Sequence, residues 1–581
     1  RIIGLEAYKA MSLDYHQLIG ERLFARAAYG SAPFGDERFG YRNGDGEMGH
    51  DWWGITTHQS QYDFTARQLA DLEAGIDTWI NRVAAGIVDL GFRLVGCSSS
   101  FQQTTSSVAL LNAVKRLSPD TITMLGGSNC EGEMADGILS LGSHVDYVFS
   151  GESDTTFPLF LRQAMHGELP KEKIIAGTPC HFLDALPTPH YDEYFEQLET
   201  NLPGVIESGS IWISYETSRG CWWGEKSHCT FCGLNGGGMA FRQKSPDKVI
   251  RELDEFLAAA PTRNIMTTDN IMPNGYFKSL LPQLAEQRPG LNIHYEIKPN
   301  LTLEKVMLLH EAGVKKIQPG IEALSSSLLR RMGKGVTAAK NIDLLRYCRM
   351  IGLDVRWNIL CHFPGDLVSD YEQTLELVGL LTHLEPPQGI VPLSIDRFSP
   401  YFEGPERYGI SNLRPAAMYR RLLPESAELG KIAYHFEGDY DAASRERPDL
   451  VEQIAAGIEE WAARWNKEPA KRPKLLVQSL ANDNCVLVDT RAVTKHEPLE
   501  FITQEQAIAA LCISASTSDD ARQWALERKC AIVLEGKPVS LALCEPQLML
   551  DLQRQRREQV FNSGARIQVP DGLPTSEPTG L

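Results

Sequence analysis

The feature that most constrains this chain is a group of three closely spaced cysteines, Cys221, Cys229 and Cys232, in a Cys-x7-Cys-x2-Cys pattern followed at once by glycines. A structural zinc ion takes four protein ligands in a tetrahedron, whereas a [4Fe-4S] cluster held by three thiolates keeps one iron open for a small molecule. An iron with an open position can take part in chemistry. The count of three therefore predicts a reactive iron-sulfur site on this loop.

Two other interpretations of the three cysteines stay open at this point. His228 could complete a zinc site of three cysteines and one histidine, although a chelating pair of His228 and the adjacent Cys229 would be strained at a tetrahedral ion. The cysteines could also be unrelated core residues, because free cysteine is commonly a small buried hydrophobe. The clustering of three among the 12 cysteines of the chain, beside many glycines, argues against that second interpretation.

The stretch from Thr217 to Gly238 resembles the cluster-binding loop of radical S-adenosylmethionine (SAM) enzymes. Its opening Arg219-Gly-Cys-Trp-Trp-Gly224, its seven-residue first gap and its ending Cys232-Gly-Leu-Asn-Gly236 are similar to a narrower group. That group is the cobalamin-binding radical SAM C-methyltransferases that mature ribosomally synthesised and post-translationally modified peptides. The usual spacing in radical SAM enzymes is Cys-x3-Cys-x2-Cys, so the longer gap departs from the superfamily and matches this subgroup.

The resemblance implies a cobalamin-dependent radical SAM C-methyltransferase that methylates an unactivated carbon of a ribosomal precursor peptide, using a 5′-deoxyadenosyl radical and methylcobalamin. The implied cofactors are a [4Fe-4S] cluster on the three cysteines, SAM and cobalamin. The implied partners are the leader and core of the precursor peptide, with flavodoxin or ferredoxin as electron donor. Two alternatives remain. One is another radical modification of a peptide, such as cyclisation or cyclopropane formation, and the other is a non-catalytic peptide-binding scaffold with a structural metal.

Composition and charge narrow the class of partner. A formal net charge of -18 argues against nucleic acid, because a phosphate backbone requires a basic face. The sequence has no apolar run of about 18 residues or more and no signal-peptide pattern at its amino terminus, so we expect a cytoplasmic protein without a membrane partner. Scattered cysteines without a regular framework fit a reducing compartment.

Length and the order of predicted elements divide the 581 residues into six segments. They are a Rossmann-like cobalamin-binding domain with an irregular N-terminal part (1–175), a connector (176–209), a partial (β/α)6 radical SAM barrel (210–400), a cover or helical segment (401–472), a winged-helix-like peptide-recognition module (473–568) and a disordered tail (569–581). The predicted fold class is α/β, with a small C-terminal α+β module.

The Rossmann-like domain is predicted from short apolar strands at 92–100, 121–127 and 145–151, which alternate with helices at 106–117, 132–141 and 155–166. This alternation is typical of a doubly wound parallel sheet, which binds ligands at the carboxyl ends of its strands. The loops at those ends resemble corrinoid-facing loops, which implies these cofactor-binding residues: Ser98, Ser99, Ser100, Phe101, Gln103, Gly126, Gly127, Asn129, Gly151 and Glu152. The Asp-x-His-x-x-Gly signature is absent, so a histidine ligand to cobalt is not expected. A plain α/β regulatory domain without a cofactor is the alternative.

Six further strands are predicted at 211–216, 264–269, 292–298, 314–320, 355–361 and 389–396, with helices between them, and they indicate a partial barrel. Active-site groups of such barrels lie at the carboxyl ends of the strands. The expected SAM-binding residues are Phe231, Asp269, Glu296, Lys298, Gln318, Glu322 and Asn358. Asp269 stands where the resembled family often has a glycine-glycine-glutamate turn, and Gln318 to Glu322 are similar to its Gly-Ile-Glu segment.

The last part of the chain offers two further expectations. Arg397 and Tyr401 open a turn-rich stretch after the sixth strand and could face substrate as catalytic residues. From about residue 473, a hairpin, two helices at 504–514 and 519–529, and a second hairpin with Gly536 in its turn predict a winged-helix-like module. Its exposed strand edge could capture an extended peptide by strand addition. DNA binding is the rival use of this shape, but the segment carries no basic stripe.

Overall fold

The fold was analysed in a computed structural model that describes residues 18–33 and 66–562, except residues 143, 235, 237, 289, 480–484 and 515–516. Most of the irregular N-terminal part and the expected disordered tail at 569–581 lie outside these residues. Within the described ranges, no helix is both long enough and apolar enough to span a lipid bilayer.

The N-terminal domain contains a parallel sheet of four strands in the order β1-β2-β3-β4. Alternate strand residues point to opposite faces, and both faces are apolar. Val95, Leu125 and Val148 share one core cluster with helices α2 to α4, whereas Met124 and Phe149 pack against α5. The elements are β1 Leu94–Ser98, β2 Ile122–Gly126, β3 Tyr147–Ser150, β4 Ile174–Ala176, α1 Ile19–Tyr29, α2 Ala66–Asp89, α3 Thr104–Leu117, α4 Met134–Ser140 and α5 Thr156–His166.

Two features of this sheet differ from the sequence prediction. Strand β4 lies in a stretch without a predicted strand, and its short, half-buried sequence gives no clear pattern. A doubly wound sheet reverses its strand order, but the strands of the described sheet follow one another in sequence order. The expectation of helices on both faces is met, and the expectation of a doubly wound order is wrong for these four strands.

The barrel wall consists of a five-stranded parallel sheet, in the order β11-β10-β9-β8-β5, and a separate parallel pair, β12 and β13. The predicted strand at 355–361 is broken between Val355 and Ile359, which divides the wall into these two parts. A parallel bridge between Glu322 and Ile359 joins them. The wall strands are β5 Ile213–Tyr215, β8 Asn264–Thr267, β9 Asn292–Ile297, β10 Val314–Pro319, β11 Asp354–Val355, β12 Ile359–Cys361 and β13 Ile390–Pro392. A separate two-stranded pair is formed by β6 Ser218–Arg219 and β7 Arg242–Gln243.

Capping residues and apolar faces fix the helices around the wall. Ser245 accepts a hydrogen bond from the backbone N–H of Lys248, and Pro246 occupies the first turn, where its missing N–H costs nothing. Val249 and Leu253 then face the core of the barrel. The helices are α6 Asp192–Asn201 in the connector, α7 Pro246–Leu257, α8 Leu280–Gln287, α9 Leu303–Glu311, α10 Ser326–Arg331, α11 Ala338–Ile351 and α12 Val368–Leu380.

The segment that follows the barrel is not wholly helical. It completes a three-stranded antiparallel sheet in the order β14-β16-β15, formed by β14 Ile395–Asp396, β15 Ser411–Pro415 and β16 His435–Asp439. Its helices are α13 Pro400–Glu403, α14 Ala417–Leu422, α15 Leu429–Ile432, α16 Ala443–Glu446 and α17 Pro448–Trp465. The sheet begins directly after the sixth barrel strand and therefore lies beside the carboxyl end of the wall.

The C-terminal module has the predicted hairpin, two helices and second hairpin, together with a third strand and a last helix that were not predicted. Its elements are β17 Leu475–Ser479, β18 Cys485–Asp489, β19 Leu499–Ile502, α18 Gln504–Cys512, α19 Asp519–Glu527, β20 Ala531–Leu534, β21 Lys537–Ser540 and α20 Pro546–Asn562. Its buried side chains belong to the same apolar cluster as those of the barrel. The module is therefore built onto the barrel and shares its core.

Buried polar contacts reinforce this junction. Arg346 on α11 is buried, and its guanidinium donates to the carbonyl oxygens of Ala542 (2.7 Å) and Leu511 (2.8 Å) in the module. His383 and Trp461 make further hydrogen bonds with backbone carbonyls at or near the same junction. Since a buried carbonyl without a donor is costly, Arg346 stabilises both parts at once.

We expect Arg346→Met to lower the free energy of unfolding by about 2–4 kcal/mol, because the methionine keeps the apolar stem but leaves two buried carbonyls without donors. Urea denaturation of the purified protein measures this change. Lys340→Met on the same helix, where the side chain is 59 % exposed, is the matched control and should change the stability by no more than about 0.5 kcal/mol.

Candidate functional site

The loop that carries the three cysteines is closed at its base by a short antiparallel strand pair. In this pair Ser218 lies opposite Gln243, and Arg219 lies opposite Arg242. Gly220 follows with a φ of 78°, and a Cβ atom there would lie 2.4 Å from the carbonyl oxygen of Ala240. Only glycine fits this close approach, so the loop leaves and re-enters the barrel at one point.

The three thiols of the loop fit an iron-sulfur cluster in chemistry and placement. Cys221, Cys229 and Cys232 are all free and half-buried, and burial followed by smaller effects, the nearby Cys221 among them, raises the pKa of Cys229 and of Cys232. The backbone N–H of Gly224 points at the Cys221 sulfur at 3.3 Å, as N–H groups do toward cluster thiolates. Among the described residues, no three His, Cys, Asp or Glu side chains stand in the arrangement that a single metal ion requires. A cuboidal cluster instead binds each cysteine to a different iron.

The histidine of the alternative zinc site is engaged elsewhere. One ring nitrogen of His228, Nε2, lies 2.8 Å from the carbonyl oxygen of Cys232 and hydrogen-bonds to it. This bond holds the second half of the loop in its turn, which also includes the bond from the N–H of Cys232 to the carbonyl of Cys229. The geometry favours a turn-forming role for His228 over a ligand role.

Two tryptophans anchor the loop to the barrel mouth. The indole N–H of Trp222 donates to the carbonyl of Met272, and that of Trp223 donates to the carbonyl of Gly333, each at 3.1 Å. Gly335 has a φ of 61°, and a Cβ atom there would overlap the Trp223 ring. The loop is thus fitted against segments that follow the second and fourth strands of the large sheet.

Glu152, expected as a cofactor-binding residue, serves a different purpose. Its carboxylate accepts hydrogen bonds from Arg219 (2.9 Å), Arg242 (2.7 Å) and the backbone N–H of Cys180 (2.8 Å). Burial alone would raise the pKa of Glu152, but these donors, Arg242 first, lower it to about 2. With its oxygens held by two arginines, Glu152 joins the N-terminal domain to both ends of the cysteine loop, and its expected contact with a cofactor stays a prediction.

The other expected residues of the N-terminal domain do lie together at the carboxyl ends of the strands. Asn129 donates to the hydroxyl of Ser99 (3.0 Å) and to the carbonyl of Phe101 (2.9 Å), which ties the loops after β1 and β2 to each other. Ser99 itself is fully buried and acts within this network. Exposed or partly exposed positions remain along the same edge: Ser98, Ser100, Phe101, Gln103, Gly126, Gly127 and Gly151.

This edge approaches the cysteine loop. A Cβ atom on Gly236 of the loop would lie 2.9 Å from the Glu131 carboxyl group and 2.7 Å from the Phe398 ring, and the same ring flanks Gly132. Gly233, which follows Cys232, packs so tightly against the carbonyl of Arg397 that no side chain fits there. The carboxyl-terminal edges of the two parallel sheets therefore meet at the glycines of the loop.

A group of charged side chains lies in the barrel mouth beside the cysteines. Lys298 donates to the carbonyl of Lys334 (2.7 Å) and stacks over the Trp223 ring, and Lys334 pairs with Glu322 at 3.2 Å. Burial, followed by the nearby Glu322 carboxylate, raises the pKa of Glu296 to about 7. Burial lowers the pKa of Lys298 to about 7.

The remaining expected SAM-binding residues lie around this charged group. Gln318 is exposed beside Glu296 on the neighbouring strand, and Phe231 packs near Lys334. Asn358 is half-buried in the break between β11 and β12. Apart from Asp269, the expected barrel residues are thus positioned around the mouth in which the cysteine loop lies.

Asp269 does not face this mouth. It is 1 % exposed, and its carboxylate accepts hydrogen bonds from the N–H and hydroxyl of Thr217 and the hydroxyl of Ser218. Burial raises the pKa of Asp269 to about 6 despite these donors. Because its oxygens hold the backbone that leads into the cysteine loop, Asp269 supports the loop from behind, and its expected contact with SAM stays a prediction.

Arg397 and Tyr401 are packing residues in this structure. Arg397 is 1 % exposed, donates to the carbonyls of Ala433 and Gly430, and pairs with Glu133 at 3.2 Å. Tyr401 is fully buried, with its ring 4.7 Å from that of Tyr408. Both side chains are held by contacts within the protein, and their expected contact with substrate stays a prediction.

Two polar groups near the mouth were missed by the sequence analysis. Asp396 and His435 form a hydrogen-bonded pair at 2.7 Å, on adjacent strands that are far apart in sequence. At the end of β12, the Ser444 hydroxyl donates to Asp366 (2.6 Å) and lies 2.9 Å from Nδ1 of His362. His362 has a φ of 63°, and its position directly after a predicted strand was the only available signal.

Comparison with known proteins identifies the central part of the chain. Residues 215–378 match the family model described as the radical SAM superfamily. These residues form a radical SAM domain. Such a domain implies a [4Fe-4S] cluster and SAM, and the three half-buried thiols and the charged mouth of this radical SAM domain fit both.

The chain is similar to several curated proteins over part of their lengths. It is 22% identical over 341 residues to a 4′-phospho-dehydrooxetanocin synthase of Priestia megaterium (50% of this chain, 42% of the relative). It is 25% identical over 203 residues to an uncharacterized methyltransferase of Pyrococcus horikoshii (34% and 42%). It is 24% identical over 289 residues to a tRNA-2-methylthio-N(6)-dimethylallyladenosine synthase of Pelotomaculum thermopropionicum (47% and 59%). The chain thus spans about two fifths to three fifths of these relatives.

Among solved structures, the cobalamin-dependent SAM radical enzyme OxsB with aqua-cobalamin bound matches with a TM-score of 0.49 and 15% identity, over 85% of this chain and 76% of that chain. Methylornithine synthase matches with a TM-score of 0.24 and 17% identity, over 38% and 65%.

The Glu152 bridge predicts a specific pH dependence. Since the folded-state pKa of Glu152 is depressed, its contribution to stability is present above the ordinary carboxyl pKa of 4.5 and is lost as the pH falls toward about 2. Glu152→Gln should therefore be less stable than wild type at pH 7, and the difference should shrink below pH 4.5. Urea denaturation at several pH values measures this.

Glu168→Gln is the control, because Glu168 is exposed, forms no ion pair among the described residues, and its loss should matter little. A stability difference between Glu152→Gln and wild type that stays constant with pH would show that Glu152 acts through packing and not through its charge.

Proposed function

We propose that the protein is a cobalamin-dependent radical SAM C-methyltransferase that methylates an unactivated carbon of a ribosomal precursor peptide. The observation that carries the proposal is the meeting of two ligand edges at one loop. The cysteine loop lies at the mouth of the radical SAM domain, and its glycines contact Glu131 and Phe398 beside the edge of the N-terminal sheet. When bound, the cluster with SAM supplies a radical that abstracts hydrogen from carbon, and cobalamin supplies a methyl group.

The residues of the chain bind and orient these groups. Cys221, Cys229 and Cys232 hold the cluster and leave one position for SAM. The carboxylates of Glu296 and Glu322 and the amine of Lys298 offer partners of both signs, which the amino and carboxylate groups of SAM require. The exposed small residues along the N-terminal edge leave room for the flat face of a corrin ring.

Other residues hold the site in place and exclude water. Trp222 and Trp223 cover the loop with aromatic surface while their indole N–H groups are satisfied by carbonyls, so they remove water without leaving polar atoms unpaired. This scheme assigns no general base to the protein. The electron that restarts the cycle is proposed to come from flavodoxin or ferredoxin.

A second candidate is a radical modification that ends in loss of hydrogens, such as ring closure within the peptide. The observation that favours it is the Asp396–His435 pair, because a histidine oriented by a carboxylate is a suitable proton acceptor. The mass of the product separates the two. A gain of one methylene per turnover supports methylation, and a loss of two hydrogens supports ring closure.

Glu296 is the carboxylate of the mouth that we expect to bind the amine of SAM. At pH 8, where this group is ionised, Glu296→Gln should weaken SAM binding by about tenfold, the worth of one hydrogen bond to a charged partner. Equilibrium dialysis with labelled SAM on the reconstituted protein measures the change. Glu311→Gln, the same substitution at the exposed end of α9, is the control, and an equal loss in both variants would contradict the assignment.

Anaerobic reconstitution tests the proposal as a whole. With iron, sulfide and hydroxocobalamin, wild type should bind about four irons per chain, show the spectrum of bound cobalamin and release 5′-deoxyadenosine from SAM. Cys229→Ala should lose iron and this cleavage, whereas Cys180→Ala, outside the loop, should retain both. Bound zinc without iron would support the scaffold alternative, and cleavage without any bound cobalamin would contradict the methyltransferase.

A further inference from the structure

Strand β20 of the C-terminal module presents an open edge. It pairs on one side with β21, and Val533 lies opposite Pro538 in that pair. The N–H of Leu541 donates to the carbonyl of Cys530, so these two residues form a hydrogen-bonded pair. Hydrogen-bonded and non-hydrogen-bonded pairs alternate along an antiparallel ladder, so Val533 lies in a non-hydrogen-bonded pair. Pro538, opposite Val533, has no N–H to donate, which agrees with a non-hydrogen-bonded pair at this position. The N–H and C=O groups of Ala531 and Val533 therefore point away from β21.

The open edge faces a groove with a helix as its opposite wall. The groove has a volume of about 610 Å³ and lies between β20 and α12 of the radical SAM domain. The side chain of Val533 is 55 % exposed, whereas its neighbours on β20 are buried. Outward backbone groups together with an apolar side chain are the features that an added strand uses, the first for affinity and the second for specificity.

The charge of the groove selects among peptides. Glu372 and Glu376 lie one turn apart on α12, are exposed, and line the groove together with Lys529 from the module. Neither glutamate forms an ion pair among the described residues, and Arg447, which lies near Glu372, is paired with Asp449. Two carboxylates against one amine give a net negative wall, which is complementary to a cationic side chain.

The other edges of the module differ from this one. The outer edge of β17 is occupied, because the N–H of Val477 donates to the carbonyl of Leu543 and the N–H of Leu543 donates to the carbonyl of Leu475. Strand β19 also has an open edge, since the N–H of Asp489 donates to Pro498 and the outward positions are then Leu499 and Phe501. Phe501 is 74 % exposed. However, the groove with Glu372 and Glu376 on its wall borders β20, and no residue of β19 lines it.

We propose that the groove between β20 and α12 binds an extended, basic segment of a peptide as an additional strand on β20. The inference rests on the proposed function, because it assigns to the precursor peptide a docking site that is separate from the cysteine loop. Strand β20 is four residues long, so it pairs with about four residues of the ligand. Alternate side chains of the ligand then face Val533 and the two glutamates.

A binding experiment on the full-length reconstituted protein tests this site without turnover. The probe is a fluorescein-labelled peptide of about eight residues that alternates valine and lysine, and a second probe replaces lysine by glutamate. Fluorescence anisotropy should show that the lysine probe binds at least about tenfold more tightly than the glutamate probe. Cleavage of SAM is measured separately on the same preparations, so failure of docking is distinguishable from failure of the proposed function.

Proline substitution isolates the strand edge. Val533→Pro removes an outward N–H and breaks no bond to β21, so it should preserve the thermal unfolding midpoint and SAM cleavage while weakening the lysine probe by at least about tenfold. Phe501→Pro makes the same change on β19 and should leave binding unchanged. Glu372→Gln together with Glu376→Gln should reduce the preference for lysine over glutamate.

Three results would overturn the proposal. The first is no measurable binding of the lysine probe, or equal binding by wild type and Val533→Pro. The second is loss of binding in Phe501→Pro alone, which would place the peptide on β19. The third is a wild-type dimer in sedimentation that Val533→Pro converts to a monomer, which would show that β20 pairs with a second copy of the chain.

Discussion

The structure around the cysteine loop depends on one electrostatic interaction, the bridge from Glu152 to Arg219 and Arg242. The strand pair that closes the loop sets these two arginines directly opposite each other. Like charges in such cross-strand positions repel, so the pair is unfavourable by itself. Glu152 places a carboxylate between them and binds both. Glu152 therefore helps the loop to close, together with Glu216 and Asp154, which also bind Arg219, and it couples the position of the N-terminal domain to the shape of the loop.

A second layer of support lies beneath the same loop. The buried carboxylate of Asp269 accepts hydrogen bonds from the N–H and hydroxyl of Thr217 and from the hydroxyl of Ser218. The Tyr295 hydroxyl lies 3.0 Å from that of Thr217 and extends this network. Buried polar networks of this kind are stable only when every member has a partner, and they then fix a single geometry. The loop is thus held from below by hydrogen bonds and from the side by charges, while its thiols and the lysines of the mouth remain available to ligands.

The sequence alone predicted the placement of residues whose position is set by motif spacing or by the end of a strand. The three cysteines, the parallel strands and the grouping of Glu296, Lys298 and Glu322 follow from local patterns, because each strand brings its last residues to one edge. The sequence alone did not predict the partners of residues that the tertiary fold buries. Asp269, Glu152 and Arg397 have the chemistry of ligands, but their carboxylates or guanidinium are held by protein partners that no local pattern reveals. The Asp396–His435 pair was missed for the same reason, since its members meet only when β14 pairs with β16.

The shared core of the barrel and the C-terminal module has a consequence for any partner of the module. A module connected by a flexible linker would hold its ligand at a variable distance from the cysteines. The effective concentration of the ligand at the cysteines would then fall as the linker lengthens. Here Arg346 and His383 of the barrel hydrogen-bond directly to carbonyls of the module, and the buried side chains form one cluster. Helix α12 contributes residues both to that cluster and to the groove beside β20. A segment bound in this groove is therefore fixed in distance and direction from the mouth, and only the part of the ligand between the two sites needs to be flexible.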